Sequence, residues 1–184
     1  MKDFDVFPVS GEIVEINGFA TKPGTSEDVP AMVLIEDQAI AAREGQPLPS
    51  EPLAPQEVER LRDEIQKPES WSRVAYFGDT MAGFVFGRPG KDPDTNSGVP
   101  GREHISLLMI HPDFWGKGLA GGLLDWSFGE AQQRGAKEIS LWTETDNKRS
   151  RALYERKGFL HTGKTRVDPD PLNPHPQVHY LKQL

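Results

Sequence analysis

The stretch Ile105-Ser-Leu-Leu-Met-Ile110-His-Pro-Asp-Phe-Trp115-Gly-Lys-Gly-Leu-Ala120-Gly-Gly-Leu-Leu124 decides the fold. Ile105 to Ile110 is an apolar run of strand length. His111-Pro112-Asp113 stops it, because proline has no N–H for a sheet ladder. From Leu119 the apolar spacing becomes helical. Leu119, Leu123 and Trp126 fall at i, i+4 and i+7, and Leu124, Phe128 and Ala131 form a second stripe beside them. An apolar surface that wide belongs to a helix packed on a sheet. The stretch therefore reads as strand, glycine turn, helix N-terminus.

That arrangement has a chemical use. The first amides of a helix lack intrahelical partners, and the helix dipole makes that end positive. Gly116, Gly118 and Ala120 leave room for a pyrophosphate to approach the backbone, and Lys117 adds a cation. The alternative from the residues alone is a tight glycine turn that binds nothing. A Walker loop is excluded, since no Gly-Lys-Ser/Thr is present in the required spacing.

The residues Ile110 to Ala120 resemble the acetyl-CoA signature of the GNAT superfamily of N-acetyltransferases. The family pattern is Gln/Arg-x-x-Gly-x-Gly/Ala after a strand that ends in an aliphatic residue. Gly118 and Ala120 match its last two positions, while Trp115 stands where Gln or Arg is usual. A second stretch, Asn147-Lys-Arg-Ser-Arg-Ala-Leu-Tyr154-Glu-Arg-Lys-Gly158-Phe159, is similar to the family's later Asn…Tyr-Glu-x-x-Gly-Phe helix. The resemblance covers about residues 71–166. It implies an α/β domain whose mixed, mostly antiparallel central sheet has a splayed parallel strand pair and flanking helices. It implies acetyl-CoA as co-substrate. The pyrophosphate would lie on Trp115, Gly116, Lys117, Gly118, Leu119 and Ala120, and the pantetheine arm would pair with backbone near Met109 and Ile110.

The 184 residues suit one domain with a sizeable core. The net charge of −7 argues against a nucleic-acid or anionic-membrane binder and suits an amine substrate. With no cysteine there is no disulfide framework, cysteine nucleophile or thiolate metal site. No signal-peptide h-region or bilayer-length apolar run is present, so a cytoplasmic location is expected.

In chain order, residues 1–18, with Phe4, Val6 and Phe7, read as an N-terminal arm, in which residues 12–16 offer a short strand. Residues 19–184 read as a single domain. Phe19 to Lys22 is its first strand. Thr25 or Ser26 caps a helix with Glu27 and Asp28 in its first turn, running to about Ala42. Pro55 starts a second helix with Val58, Leu61 and Ile65 on one stripe. Trp71 to Phe77 and Met81 to Phe86 read as a hairpin. Residues 87–101, rich in glycine and proline, read as a long loop. Beyond the central helix, Gly135 marks its end, Ile139 to Thr143 a strand, Asn147 to Gly158 a helix, and Phe159 to Arg166 a strand. Pro169, Pro171, Pro174 and Pro176 mark a stiff loop, and Val178 to Leu184 a final antiparallel strand.

Acetyl transfer to an amine needs a polarised thioester carbonyl, a neutral amine and an acid for the leaving thiolate. Asn147, Ser150 and Tyr154 fall at i, i+3 and i+7 on one helix face. If that face looks toward the cofactor, Tyr154 is the acid and Asn147 and Ser150 contact the pantetheine. The alternative is that Tyr154 is a core aromatic. His104, Ser106, Leu108 and Ile110 alternate on one strand face, and in several family members a Glu or His stands four or six residues before the Ile110 position. That makes His104 the candidate base, with an ascending pH limb near an imidazole pKa. Glu103, on the opposite face, and Glu144 are weaker candidates. No metal site is expected, since His175 and His179 have no clear third ligand. The reading is an acetyl-CoA-dependent N-acetyltransferase working by direct attack of a small-molecule or peptide amine, set against a non-catalytic CoA-binding regulatory module. A homodimer is expected from the unpaired edges of the arm and terminal strand and from the family's habit of pairing through such elements.

Overall fold

An Asn-Gly pair accepts two successive positive φ angles at little steric cost, and Asn17 (φ 50°) and Gly18 (φ 84°) do so. They join β1 (Val14–Ile16) to β2 (Phe19–Pro23) in an antiparallel hairpin. The computed structural model describes residues 12–168 and 174–184. Phe4, Val6 and Phe7 of the expected arm, and Pro169 and Pro171 of the expected stiff loop, lie outside them.

The remaining elements are α1 (Val29–Arg43), α2 (Pro55–Ile65), β3 (Trp71–Phe77), β4 (Thr80–Lys91), β5 (Gly98–Ile110), a single 3-10 turn (Pro112–Phe114), α3 (Leu119–Gln133), β6 (Glu138–Glu144), α4 (Lys148–Arg156), β7 (Leu160–Val167) and β8 (Pro176–Gln183). The strands are hydrogen-bonded in the order β1-β2-β3-β4-β5-β6-β8-β7. The pair β5–β6 is parallel and the sheet is otherwise mostly antiparallel, as expected. Pairing of β5 with β6 runs from Arg102–Glu138 to Ile105–Leu141, and both strands continue beyond the last pair.

The chain divides into two compact units. Of the described residues, those up to Phe86 with Leu108–Gly129 form the first, and Gly87–Leu107 with those from Glu130 onward form the second.

In the first unit, Val29, Met32, Val74, Phe84, Leu123 and Leu124 are fully buried. Arg73 is also buried. Its Nε donates to Thr21 Oγ1 (2.8 Å), one terminal nitrogen donates to the Glu12 carbonyl (2.6 Å), and its guanidinium lies 5.0 Å from the Trp126 ring centroid. Those contacts offset a desolvation cost of several kcal/mol for a buried cation. Helix α1 starts later than the cap residues suggest. Asp28, not Thr25 or Ser26, flanks it, and its carboxylate turns away from the helix. It accepts from Thr25 N (2.8 Å), Thr25 Oγ1 (2.9 Å), Tyr76 OH (2.7 Å) and Lys22 Nζ (3.1 Å). Burial pushes the Asp28 pKa up, but these donors outweigh burial and hold it below the usual carboxylate value. Pro30, in the first turn, has no N–H to be capped.

In the second unit, Ile105, Ile139, Leu141, Phe159, Val178 and Tyr180 form the core. The expected loop over 87–101 is instead the outer half of a long hairpin, because β4 runs to Lys91 and β5 begins at Gly98. The six residues between them, 92–97, are held by their own hydrogen bonds. Asp92 Oδ1 accepts from the amides of Asp94 (3.0 Å) and Thr95 (2.9 Å), Asp92 N donates to the Ser97 carbonyl (2.8 Å), and Asn96 takes a left-handed φ of 58°. Gly90 is there for packing. A Cβ on it would collide with the side-chain stem of Arg102. Strand β8 lies between β6 and β7, antiparallel to both.

Candidate functional site

The glycine turn in the first unit is built by the residues the sequence singles out. Gly116 (φ 79°) and Gly118 (φ 81°) are left-handed, a conformation that side chains resist. Gly122 N donates to the Gly118 carbonyl (3.1 Å) as the first bond of α3. The amides of Gly118, Leu119, Ala120 and Gly121 precede that bond, so none has an intrahelical acceptor. This is the donor set a pyrophosphate needs, with no side chain in the way at Gly116 or Gly118. Lys117 holds its ammonium 5.2 Å from the Phe114 ring centroid. Trp115 does not simply leave a gap where Gln or Arg is usual. Its indole Nε1 donates to the Ile110 carbonyl (2.8 Å) and ties the turn to the end of β5. Ile110 and Met109 lie against β4 at Gly83, where a Cβ would come within 2.7 Å of the Met109 carbonyl.

Sequence reasoning missed one member of this turn. Asn17 Nδ2 donates to the Gly118 carbonyl (3.0 Å), and Gly122 is the residue on which Ile16 closes, leaving no room for a Cβ. The Asn17-Gly18 dipeptide marks a hairpin tip in the sequence, but nothing local says where the tip lands.

In the second unit, α4 carries the second motif. Asn147 is its N-cap, with Oδ1 accepting from Ser150 N (3.2 Å), so two of the three residues on the expected face serve first to start the helix. Tyr154 is buried, with Phe159 (5.8 Å between centroids) and Tyr180 (6.3 Å) against its ring. Burial pushes its hydroxyl up to about 12, so the phenol keeps its proton through the neutral range.

The opposite face of the same strands is polar. His104 pairs with Ser140 across β5 and β6, Trp142 with His179 across β6 and β8, and Arg166 with Gln177 across β7 and β8. His104 Nδ1 lies 2.9 Å from Ser140 Oγ, whose own proton points toward the Glu103 carbonyl (3.4 Å). The Ser140 hydroxyl thus fixes the orientation of the His104 ring through Nδ1. Burial, then Arg88, His179, Arg166 and Arg102, push His104 down to about 3. An imidazole so placed is neutral at every working pH, which moves the expected pH limb out of the neutral range. His179, 2% exposed, is pushed down to about 4 by burial and by Arg102 and Arg166. It packs on Trp142 (4.8 Å), and its Nδ1 lies 3.0 Å from Thr162 Oγ1. Ser106 Oγ, two residues beyond His104, is buried with no hydrogen-bond partner among the described residues. An unsatisfied hydroxyl of this kind costs about 1–3 kcal/mol. Glu103 is buried on the other face, and Glu144 lies at the end of β6 beside Gln177.

The chain thus has a mixed sheet with one parallel pair, β5 and β6, joined through a glycine turn that opens α3. A family model described as the acetyltransferase (GNAT) family matches residues 38–159, and the chain belongs to that family. N-alpha-acetyltransferase 30 of Schizosaccharomyces pombe is 37% identical over 94 residues, 51% of this chain and 59% of that protein. A mycothiol acetyltransferase of Beutenbergia cavernae is 36% identical over 69 residues, 38% of this chain and 22% of that protein. The chain thus spans less than two thirds of either relative. The same fold is found in the ribosomal-protein-S18-alanine N-acetyltransferase of Escherichia coli, with a TM-score of 0.66 at 19% identity over 90% of this chain and 93% of that one. It is found again in the PaiA N-acetyltransferase of Thermoplasma acidophilum in complex with coenzyme A, with a TM-score of 0.63 at 17% identity over 90% and 99%.

Proposed function

We propose that the protein is an N-acetyltransferase that moves an acetyl group from acetyl-CoA to a primary amine by direct attack. The observation that carries the reading is the turn from Gly116 to Gly121, with two left-handed glycines before a 15-residue helix. Acetyl-CoA supplies the activated acetyl group. The amides of Gly118 to Gly121 hold its pyrophosphate, Lys117 adds a positive charge, and backbone at Met109 and Ile110 aligns the pantetheine. The residues present fit that ligand, since glycines stand where the phosphates must approach.

Tyr154 is the acid. It holds its proton at neutral pH and releases it to the departing thiolate. His104 is assigned to the amine. Its Nε2 accepts an N–H of the nucleophile, and its low basicity means it orients the amine while the proton passes on to solvent.

A homodimer and a cytoplasmic location belong to the same reading. Strand β7 closes one end of the strand order and all eight of its residues are exposed. Among the described residues no helix is long and apolar enough to cross a membrane. Sedimentation at high micromolar concentration should show a dimer, and a monomer only would reject it.

The whole reading is tested by calorimetric titration with acetyl-CoA alongside a turnover assay on a panel of amines. Binding with turnover of at least one amine is expected. Binding with no turnover would make the protein a CoA-binding regulatory module, and no binding would remove the cradle.

A further inference from the structure

We propose that the outer end of the β4–β5 hairpin, residues 91–101, is a hinged strap over the polar face of the second unit, latched by the ion pair between Asp94 and Lys164, and that it opens to admit the acceptor amine. The inference rests on the N-acetyltransferase reading above and adds to it a gate on the acceptor.

The path of the strap follows from strand register. Strand β6 starts at Glu138, opposite Arg102 of β5, and the two strands are parallel. A straight β5 would therefore carry the residues before Arg102 past the start of β6 and away from Trp142. The hairpin tip does the reverse. Lys164 Nζ donates to Asp94 Oδ2 (2.6 Å). Thr165, next to Lys164, pairs with Val178, and Val178 pairs with Thr143. Asp94 thus reaches a point level with Thr143, five residues along β6 from Glu138, or about 16 Å. Strand β7 is also three places from β5 in the strand order, about 14 Å across the sheet. Both displacements require the hairpin to bend back over the sheet.

The face it covers is the polar one. Lys164 stands two residues before Arg166, so the two share a face, and the Arg166 guanidinium lies 4.3 Å from the Trp142 ring centroid. His104 and Ser140 are on that face too, while α4 packs on the other through Tyr154 and Tyr180.

Gly101 supplies the bend. It lies inside β5 with a left-handed φ of 75°, and a bulge of this kind bends its strand. Gly163, with φ 83°, lies where β7 shifts register, just before Lys164. Below the bend the hairpin is fixed, since Arg102 Nε bonds Glu138 Oε1 (2.7 Å) and the Arg102 stem lies against Gly90. Above it the hold is light. The side chains of Lys164 and Asp94 are 47% and 60% exposed, so water and salt screen the pair. The turn's own bonds are internal, from Asp94 N and Thr95 N to Asp92 Oδ1 and from Asp92 N to the Ser97 carbonyl. The tip is therefore a preformed piece that swings on Gly101 when an exposed ion pair lets go.

The chain has no cysteine, so thiols can be placed without background. In Asp94→Cys with Lys164→Cys, a short bis-methanethiosulfonate bridges the tip to β7 and a reductant releases it. Bridging should leave acetyl-CoA affinity unchanged by calorimetry and lower kcat/KM for an amine about tenfold or more, and reductant should restore it. A monofunctional methanethiosulfonate, which caps the same thiols without joining them, should leave turnover at the reduced level. Full turnover in the bridged enzyme overturns the gate. Opening is read without turnover by nitroxides on Ser97→Cys and Leu160→Cys, both exposed and outside the latch. At low salt the distance distribution should be single and short. Asp94→Asn, or raised salt, should add a longer population, and Asp94→Lys with Lys164→Asp should remove it. A distribution that Asp94→Asn leaves unchanged overturns the latch. If acetyl-CoA binds and no amine is turned over, the transferase reading fails by itself, and the nitroxide distances alone decide the strap.

Discussion

The glycine turn of the first unit and the polar face of the second are built in opposite ways. The turn works through backbone. Its donors are the amides at the start of α3, its special residues are glycines at φ 79° and 81°, and its shape is held by Asn17 and Trp115 bonding to carbonyls. The face works through side chains drawn from several strands, and their charge states are set by burial and by the arginines around them. A backbone site is insensitive to pH and fails when a Cβ is added. A side-chain site tolerates volume changes better but fails when one proton or one charge is removed.

Tyr154→Phe presses hardest on this contrast. The substitution keeps the ring that packs on Phe159 and Tyr180 and deletes only the hydroxyl. If the phenol protonates the thiolate, kcat falls about a hundredfold or more, with little change in acetyl-CoA affinity. Wild-type kcat in single-turnover experiments would reduce Tyr154 to packing and remove the chemistry assigned to α4.

Acid should separate the two regions next. Unfolded, both histidines titrate near 6.5. Folded, His104 and His179 stay neutral down to about 3 and about 4. Between those limits the unfolded chain binds more protons, so stability falls as pH drops from about 6.5 toward 4, by on the order of 2 kcal/mol per histidine. Asp28, whose pKa is lowered, contributes its share above the ordinary aspartate value and loses it only in stronger acid. Urea midpoints at pH 7, 5.5 and 4.5 should therefore fall steeply in the wild type and more gently in His179→Gln. Parallel slopes would mean that the imidazoles remain solvated. For activity, the kcat/KM profile from pH 5 to 9 should show no limb belonging to His104, and His104→Ala should lower the curve without changing its shape.

Gly118→Val tests the backbone region. A branched residue at φ 81° is strained, and its Cβ would sit 3.2 Å from Asn17 Nδ2. Strain on the order of 1–3 kcal/mol should weaken acetyl-CoA about tenfold or more. Trp115→Arg trades the indole bond to Ile110 for a cation near the phosphates, so affinity should hold or improve. Undiminished affinity in Gly118→Val would sink the cradle.

The turn was legible in the sequence because it is contiguous: strand, proline stop, glycines and helical spacing all fall within about twenty residues. The α4 motif was legible for the same reason. The polar face was not. Trp142, Arg166 and His179 come together through the insertion of β8 between β6 and β7 and through a register shift between His161 and Thr165. None of these is written locally. The misread loop over 87–101 has a related cause. Gly90 and Pro89 look like loop residues by composition, but Gly90 sits in β4 because Arg102 needs the space a Cβ would fill. The late start of α1 is nonlocal too, since Lys22 and Tyr76 from neighbouring strands draw the Asp28 carboxylate away from the helix.

The smallest effect expected is at Asn17, and it discriminates most finely. Alanine is a poor probe there, because φ 50° would strain it. Asn17→Gly keeps the left-handed turn and removes only the bond to the Gly118 carbonyl. A single exposed hydrogen bond is worth about 0.5–1.5 kcal/mol, so acetyl-CoA affinity should fall a few-fold, with kcat unaltered at saturation. Asn17→Asp keeps the turn and the shape but replaces the donor with a carboxylate facing a carbonyl and, with the cofactor bound, the pyrophosphate. It should cost more than the glycine variant, and the excess should shrink as salt is raised, because exposed charges are screened. Equal losses in the two variants would mean that Asn17 acts on the turn alone. No loss in either would mean that the glycines hold their conformation unaided, leaving the hairpin tip as packing against Gly122.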